Sequence, residues 1–147
     1  MINGQASGDN SQRTIAAAWC VDAACSGNPG PMEYRGVDLI TRKQIFHYGP
    51  IQGTNNIGEF LAIVHAAALM KKEGITGVTI YSDSVSGLAW VRNKRAKTQL
   101  ERNEKTAMAL DLVARAEAWL RANPDLPVIE KWNTTEWGEI PADFGRK

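Results

Sequence analysis

The stretch IAAAWCVDAACSGNPG, residues 15–30, reads as a strand that runs into a glycine-rich turn. Over residues 15–22 both alternating sets are largely apolar. Ile15, Ala17, Trp19 and Val21 form one, and Ala16, Ala18, Cys20 and Asp22 the other. Such a strand is expected to have both faces covered. SGNPGP then breaks it. Asp22 is the anomaly. An ionised carboxylate among Ala16, Ala18 and Cys20 is costly unless something compensates it. The plain alternative is that Asp22 bonds the CSGN turn.

Downstream, MEYRGVDLI (32–40) and KQIFHYG (43–49) are joined by a two-residue link and read as a hairpin. IGEFLAIVHAAALMKKEG follows as a helix, with Asn56 as the expected N-cap and Gly74 as the stop. VTIY (78–81) is a β-branched strand, and SDS hands it to a short helix at 85–92. After the basic link NKRAKTQ, residues 101–122 are expected to form one amphipathic helix. Met108, Leu112, Val113, Ala116, Trp119 and Leu120 make its apolar stripe. VIEKW (128–132) is a last strand, and TTEWGEIPADFG holds a terminal helix. The order β-β-β-α-β-α-α-β-α implies an α/β fold: a mixed sheet with helices on both faces.

The chain has 147 residues, 44% hydrophobic and 22% charged, which suits one domain with a sizeable core. The polar start MINGQASGDNSQRT is read as a flexible tail, residues 1–14, ahead of a single domain over 15–147. Its composition is not expected of a signal peptide, and no apolar run reaches the roughly 18 residues of a membrane helix. Cys20 and Cys25 are too few for a disulfide scaffold and form no CxxC pair, so a cytoplasmic setting is expected. With a net charge of +1, any nucleic-acid contact must come from a local patch.

Four more acids sit in notable places. Asp83 directly follows the apolar strand VTIY, where it or Ser84 could also cap the next helix. Glu59 lies in the first turn of its helix, in line with Ile63, Ala66 and Met70; it could simply favour a helix N-terminus. Glu139 and Asp143 are four apart and would share a face if their segment is helical, or be plain surface charges. In sheets with parallel crossovers, strand C-terminal ends and helix N-terminal ends gather at one edge. Asp22, Glu59 and Asp83 would then cluster, and clustered carboxylates repel unless a cation sits among them. An all-oxygen set suits magnesium or manganese. A fourth acid would complete the ligands for two ions, the arrangement that splits phosphodiesters by in-line displacement.

VDAACSGNPG, GTNNIGEFLAIVHAAALM, YSDSVSGLAWV and WGEIPADFGRK together resemble type 1 ribonuclease H in order and spacing, from about residue 15 to the C-terminus. The likeness is greatest to a bacterial subgroup that ends in WGEI-AD-GRK. The resemblance implies a ribonuclease H-like fold, with a five-stranded mixed sheet in the order 3-2-1-4-5. It implies an endonuclease that hydrolyses the RNA strand of RNA–DNA hybrids with two Mg2+ ions, or Mn2+ in their place, leaving 5′-phosphate and 3′-hydroxyl ends. Asp22, Glu59, Asp83 and Asp143 would be the metal ligands. Asp22 would bridge both ions, with Asp143 on the ion that activates water. Glu139 would be the mobile catalytic acid that aids product release. Many relatives use a loop histidine for that task. Here His47 and His65 fall in a strand and a helix and are read as structural.

The resemblance also assigns the substrate contacts. Cys25, Gly27, Asn28, Asn55, Asn56 and Glu59 would face the minor groove on the RNA side. Asn28, Asn55 and Asn56 also read as ordinary turn and cap residues. Thr54, Asn56, Thr98 and Gln99 would hold a DNA phosphate, Trp90 would lie against a deoxyribose, and Ser84 and Thr134 would add contacts. Arg92, Lys94, Arg95 and Lys97 crowd the link on the DNA side. Relatives with an extra basic helix there, or an N-terminal hybrid-binding domain, are expected to bind more tightly. No membrane partner is expected, and the chain is expected to be a monomer. Competing readings are a DNA-cutting integrase, transposase or resolvase with the same acids, a non-catalytic hybrid-binding module, and a serine hydrolase built on YSDS. The last lacks a G-x-S-x-G elbow and a well-placed histidine.

Overall fold

The computed structural model describes residues 17–145. The expected tail at 1–14, and Ile15 and Ala16 of the first strand, lie outside the described residues. Five strands, β1 (Ala18–Cys25), β2 (Gly30–Asp38), β3 (Gln44–Gly53), β4 (Thr79–Ser82) and β5 (Ile129–Lys131), form one sheet in the order β3-β2-β1-β4-β5. β1 pairs antiparallel with β2 and parallel with β4, and β4 pairs parallel with β5. The helices are α1 (Asn55–Glu73), α2 (Val85–Asn93), α3 (Ala107–Ala122) and the single turn α4 (Thr134–Trp137).

β1 is the hub, buried from Ala18 to Ala24. Its two faces serve two cores. Trp19, Val21 and Ala23 pack with Met32, Phe60, Ile63, Met70 and Ile80, and with Val113 and Leu120 of α3. Each large side chain fully buried there contributes about 1.5–3 kcal/mol by its removal from water. Cys20 belongs to a smaller cluster with Val37, Trp132, Ile140 and Ala142. The first face is covered by helices. The second is covered by the C-terminal segment and α4, whose Trp137 packs edge-on against Trp132 and Tyr81.

Several expected boundaries move, each for a local reason. β1 runs on to Cys25, because its antiparallel ladder with β2 extends to Cys25 and Met32. Asp22 is therefore within the strand and not at its end. α1 is capped by Thr54 rather than Asn56. Thr54 is extended, at φ −131° and ψ 162°, and its Oγ1 accepts the Ile57 N–H. Gly74 ends α1 in the left-handed region, as expected. α3 begins at Ala107 and not at 101. Asn103 Oδ1 accepts the N–H groups of Lys105 and Thr106, and Thr106 Oγ1 donates to the Glu101 carbonyl. Those side-chain bonds compete with helical pairing. Of the expected stripe, Val113, Ala116 and Leu120 are buried, whereas Met108 is exposed. The terminal helix stops at Trp137, so Glu139 and Asp143 share no helical face.

Candidate active site

Three elements carry the acids to one edge of the sheet. In the parallel ladder Val21 pairs with Ser82, the last residue of β4. Asp22 and Asp83 are the next residues on each chain, so the register sets them side by side. Glu59 comes from the start of α1, which lies close over β1: a Cβ on Gly58 would be 2.8 Å from the Ala23 Cβ. Asp22, Glu59 and Asp83 each present an oxygen within 4.8 Å of the others. Asp22 is fully buried, Glu59 is 2% exposed, and Asp83 is half-buried. Three carboxylates this close, two of them removed from water, repel strongly in the ionised state. They form an all-oxygen donor set open on the Asp83 side. These residues fit a hard divalent cation, which accepts carboxylate oxygens and retains water.

The other two expected acids stand apart from this group. Glu139 is exposed, just beyond α4. Asp143 is half-buried, and its Oδ2 accepts the Gly145 N–H at 2.9 Å. The backbone around it is held by Arg35 of β2, a residue without a place in the sequence reading. Arg35 Nε donates to the Ala142 carbonyl and Nη2 to the Asp143 carbonyl, both at 2.8 Å. No pattern in the sequence ties Arg35 to residues more than a hundred positions away. Neither histidine joins the acids. His65 is bonded to the Tyr34 hydroxyl at 2.8 Å and stacks on Phe46 at 4.2 Å. His47 Nε2 bonds Glu33 at 2.7 Å.

The expected substrate residues divide into two groups. In the SGNPG turn, Gly27 has φ +97°, and a Cβ on Gly30 would lie 2.1 Å from the Ser26 carbonyl oxygen. Asn28 Oδ1 accepts the Asn55 N–H at 2.9 Å, which ties the turn to the start of α1. Cys25 Sγ donates to the Gly27 carbonyl at 2.7 Å. Burial raises the pKa of this thiol, so it stays a donor at neutral pH. A serine hydroxyl could make the same bond, so Cys25 keeps the turn's geometry.

The second group lines an open cavity of about 610 Å3, where Asn28, Thr54, Asn56, Trp90, Thr98 and Gln99 converge. Lys97 and Lys105 also line it. Lys105 reaches the cavity from the loop at 101–106, which the sequence pattern assigns to α3. Trp90 serves both sides, since it also packs edge-on against Phe60 at 6.0 Å. Ser84 caps α2, its Oγ accepting the Gly87 N–H at 2.9 Å. Thr134 is exposed at the start of α4.

Fold and site together define a mixed-sheet α/β domain whose carboxylate cluster is drawn from β1, the start of α1 and the residue after β4. The RNase H family model matches residues 15–126. Ribonuclease H of Rickettsia felis (strain ATCC VR-1525 / URRWXCal2) is 32% identical over 131 residues, covering 83% of this chain and 82% of that protein. Ribonuclease H of Roseobacter denitrificans (strain ATCC 33942 / OCh 114) is 32% identical over 122 residues, 76% of this chain and 77% of that one. Among solved structures, RNase H1 from Halobacterium salinarum NRC-1 superposes with a TM-score of 0.53 at 20% identity, over 82% of this chain and 87% of its own, which is a likeness of fold. The chain belongs to the RNase H family, as a type 1 ribonuclease H, and is a hydrolase.

Proposed function

We propose that residues 15–147 form a catalytic domain that hydrolyses the RNA strand of RNA–DNA hybrids with two magnesium ions, leaving 5′-phosphate and 3′-hydroxyl ends. The observation that carries this reading is the meeting of Asp22, Glu59 and Asp83 at the sheet edge. Membership of the ribonuclease H family supports the substrate. Asp22, Glu59, Asp83 and Asp143 are the residues that would hold metal. Bound there, the metal would lower the pKa of a water and neutralise charge developing on the phosphoryl oxygens.

The chain itself positions the duplex. The SGNPG turn and the α1 start carry Asn28 and Asn56, whose amides can both donate and accept, as recognition of a 2′-hydroxyl requires. The cavity bounded by Thr54, Asn56, Thr98 and Gln99 suits a DNA phosphate, with Lys97 and Lys105 supplying positive charge. Contacts to both strands would fix which one meets the acids. Glu139, which is exposed, would assist departure of the product.

The deciding experiment is cleavage of an end-labelled RNA–DNA hybrid with and without magnesium, beside duplex DNA and duplex RNA. Metal-dependent cutting of the RNA strand of the hybrid alone is expected. Equal cutting of duplex DNA, or intact hybrid under all conditions, would overturn the reading.

A further inference from the structure

We infer that Arg35 is a positioning residue: its guanidinium fixes the backbone of Asp143 and so the direction in which that carboxylate leaves the chain. The inference rests on the proposed role of Asp143. Asp143 lies where neither strand nor helix can orient it, since β5 ends at Lys131 and α4 at Trp137. One side chain does that work. Arg35 is directly opposite Asp22 across the β1–β2 ladder, so both project from the same face of the sheet. Its Nε bonds the Ala142 carbonyl, and its Nη2 bonds the Asp143 carbonyl. These carbonyls belong to the two peptide planes that flank Asp143. Holding both planes restricts the backbone torsions of that residue, and with them the direction its side chain leaves the chain.

The surroundings make the clamp rigid. Ala142 and Ile140 are buried in the cluster with Cys20 and Trp132. The Asp143 N–H donates to the Ile140 carbonyl at 2.9 Å, which closes the turn. The Phe144 ring covers the guanidinium at 4.9 Å. His47, the β3 partner of Arg35 in register, also lies near Phe144, with ring centroids 6.3 Å apart, and is itself held by Glu33. Asp22, Arg35 and His47 thus form a row across three strands, and the C-terminal segment lies along it. The fork matters as much as the charge. A guanidinium presents fixed planar donors to two carbonyls at once, whereas an ammonium is a point charge.

The test compares Arg35→Gln and Arg35→Lys with the wild type. Hydrogen exchange in the metal-free protein reads the clamp without metal, substrate or turnover. In Arg35→Gln the Asp143 and Gly145 amides should exchange about ten- to a hundredfold faster, while α1 amides are unchanged. In steady-state cleavage kcat should fall by about tenfold or more with KM within about twofold, because the cavity residues are untouched. Arg35→Lys should recover part of both effects. Adding Asp143→Asn to Arg35→Gln should cost less than the sum of the two. Unchanged exchange at Asp143 and Gly145 would overturn the inference, as would equal acceleration across α1 or fully additive losses. If the wild type fails to cleave hybrid, the proposed two-metal cleavage falls instead, and the exchange result then reports a purely structural clamp.

Discussion

Gly87 of α2 packs directly against Glu59 of α1: a Cβ on Gly87 would lie 3.2 Å from the Glu59 Cβ and 3.1 Å from Ser84 Oγ. This close approach brings the α2 start, with Ser84 and Asp83 before it, against the helix that carries Glu59. Gly87→Ala gains about 1 kcal/mol of helix propensity but overpacks by about 1–3 kcal/mol. The expected net is a loss of about 1 kcal/mol in thermal denaturation, with a disproportionate fall in kcat as Glu59 shifts. A raised Tm with full activity would show that α2 can draw back without disturbing the acids.

Asp22→Asn and Asp83→Asn should each reduce cleavage by about two to three orders of magnitude or more, since each removes an anionic oxygen from the proposed metal site. Hybrid binding should persist in gel-shift assays, because Asn28, Thr54 and Thr98 remain. EDTA should stop the wild type and magnesium restore it. Magnesium at about a hundred times its Kd should also stabilise the folded wild type by about 2.7 kcal/mol. Asp22→Asn should lose most of that rise in Tm. An Asp22→Asn protein that cleaves, or that keeps the full metal-induced Tm shift, would contradict the site.

Glu139 is exposed and lies outside the close cluster, which suits a part in release rather than in bond breaking. Glu139→Gln should slow steady-state turnover by about tenfold and leave single-turnover cutting within about twofold. Equal slowing in both regimes would assign Glu139 to the chemical step.

His65 gives a pH dependence to stability. Burial lowers its pKa below the ordinary 6.5, and burial likewise pushes that of Tyr34 up, so both are neutral at pH 7 and share one hydrogen bond. The unfolded chain takes up a proton near pH 6.5 that the folded state resists. The stability associated with neutral His65 is therefore complete above pH 6.5 and declines as pH falls toward its lower folded value. Tm should drop between pH 7 and pH 5, and His65→Gln should flatten that slope. An equally steep slope in the variant would place the acid sensitivity elsewhere.

The fold was largely legible because its signals are local. The doubly apolar β1, the long run of α1 ending at Gly74, and the β-branched VTIY each carry their own periodicity or stop. Boundaries failed where side chains capture the backbone. Thr54 takes the cap expected of Asn56, and Asn103 and Thr106 hold residues 101–106 out of α3. Asp22, Glu59 and Asp83 could be singled out because a carboxylate amid apolar neighbours, or at the start of a buried helix, demands a reason. Arg35 gave no such signal. An arginine on a strand of mixed polarity is ordinary until its partners are seen. Cys25 is similar: its thiol bond to Gly27 follows from the folded turn and not from residue type.

Alternation and spacing alone thus specified a strand covered on both faces with an acid in it, two further acids at element junctions, and a mixed sheet whose crossovers would gather them; the sheet order came from the family resemblance. The strand, the acids and the crossovers follow from short-range preferences and from the connection rules of α/β sheets. Tertiary structure alone decided that three carboxylates come within 4.8 Å, and that Arg35 grips the chain on both sides of Asp143. Such distances depend on register, on how closely Gly58 and Gly87 let helices approach, and on hydrogen bonds between residues far apart along the chain. No local preference encodes them; they arise only when the packed core fixes every element at once.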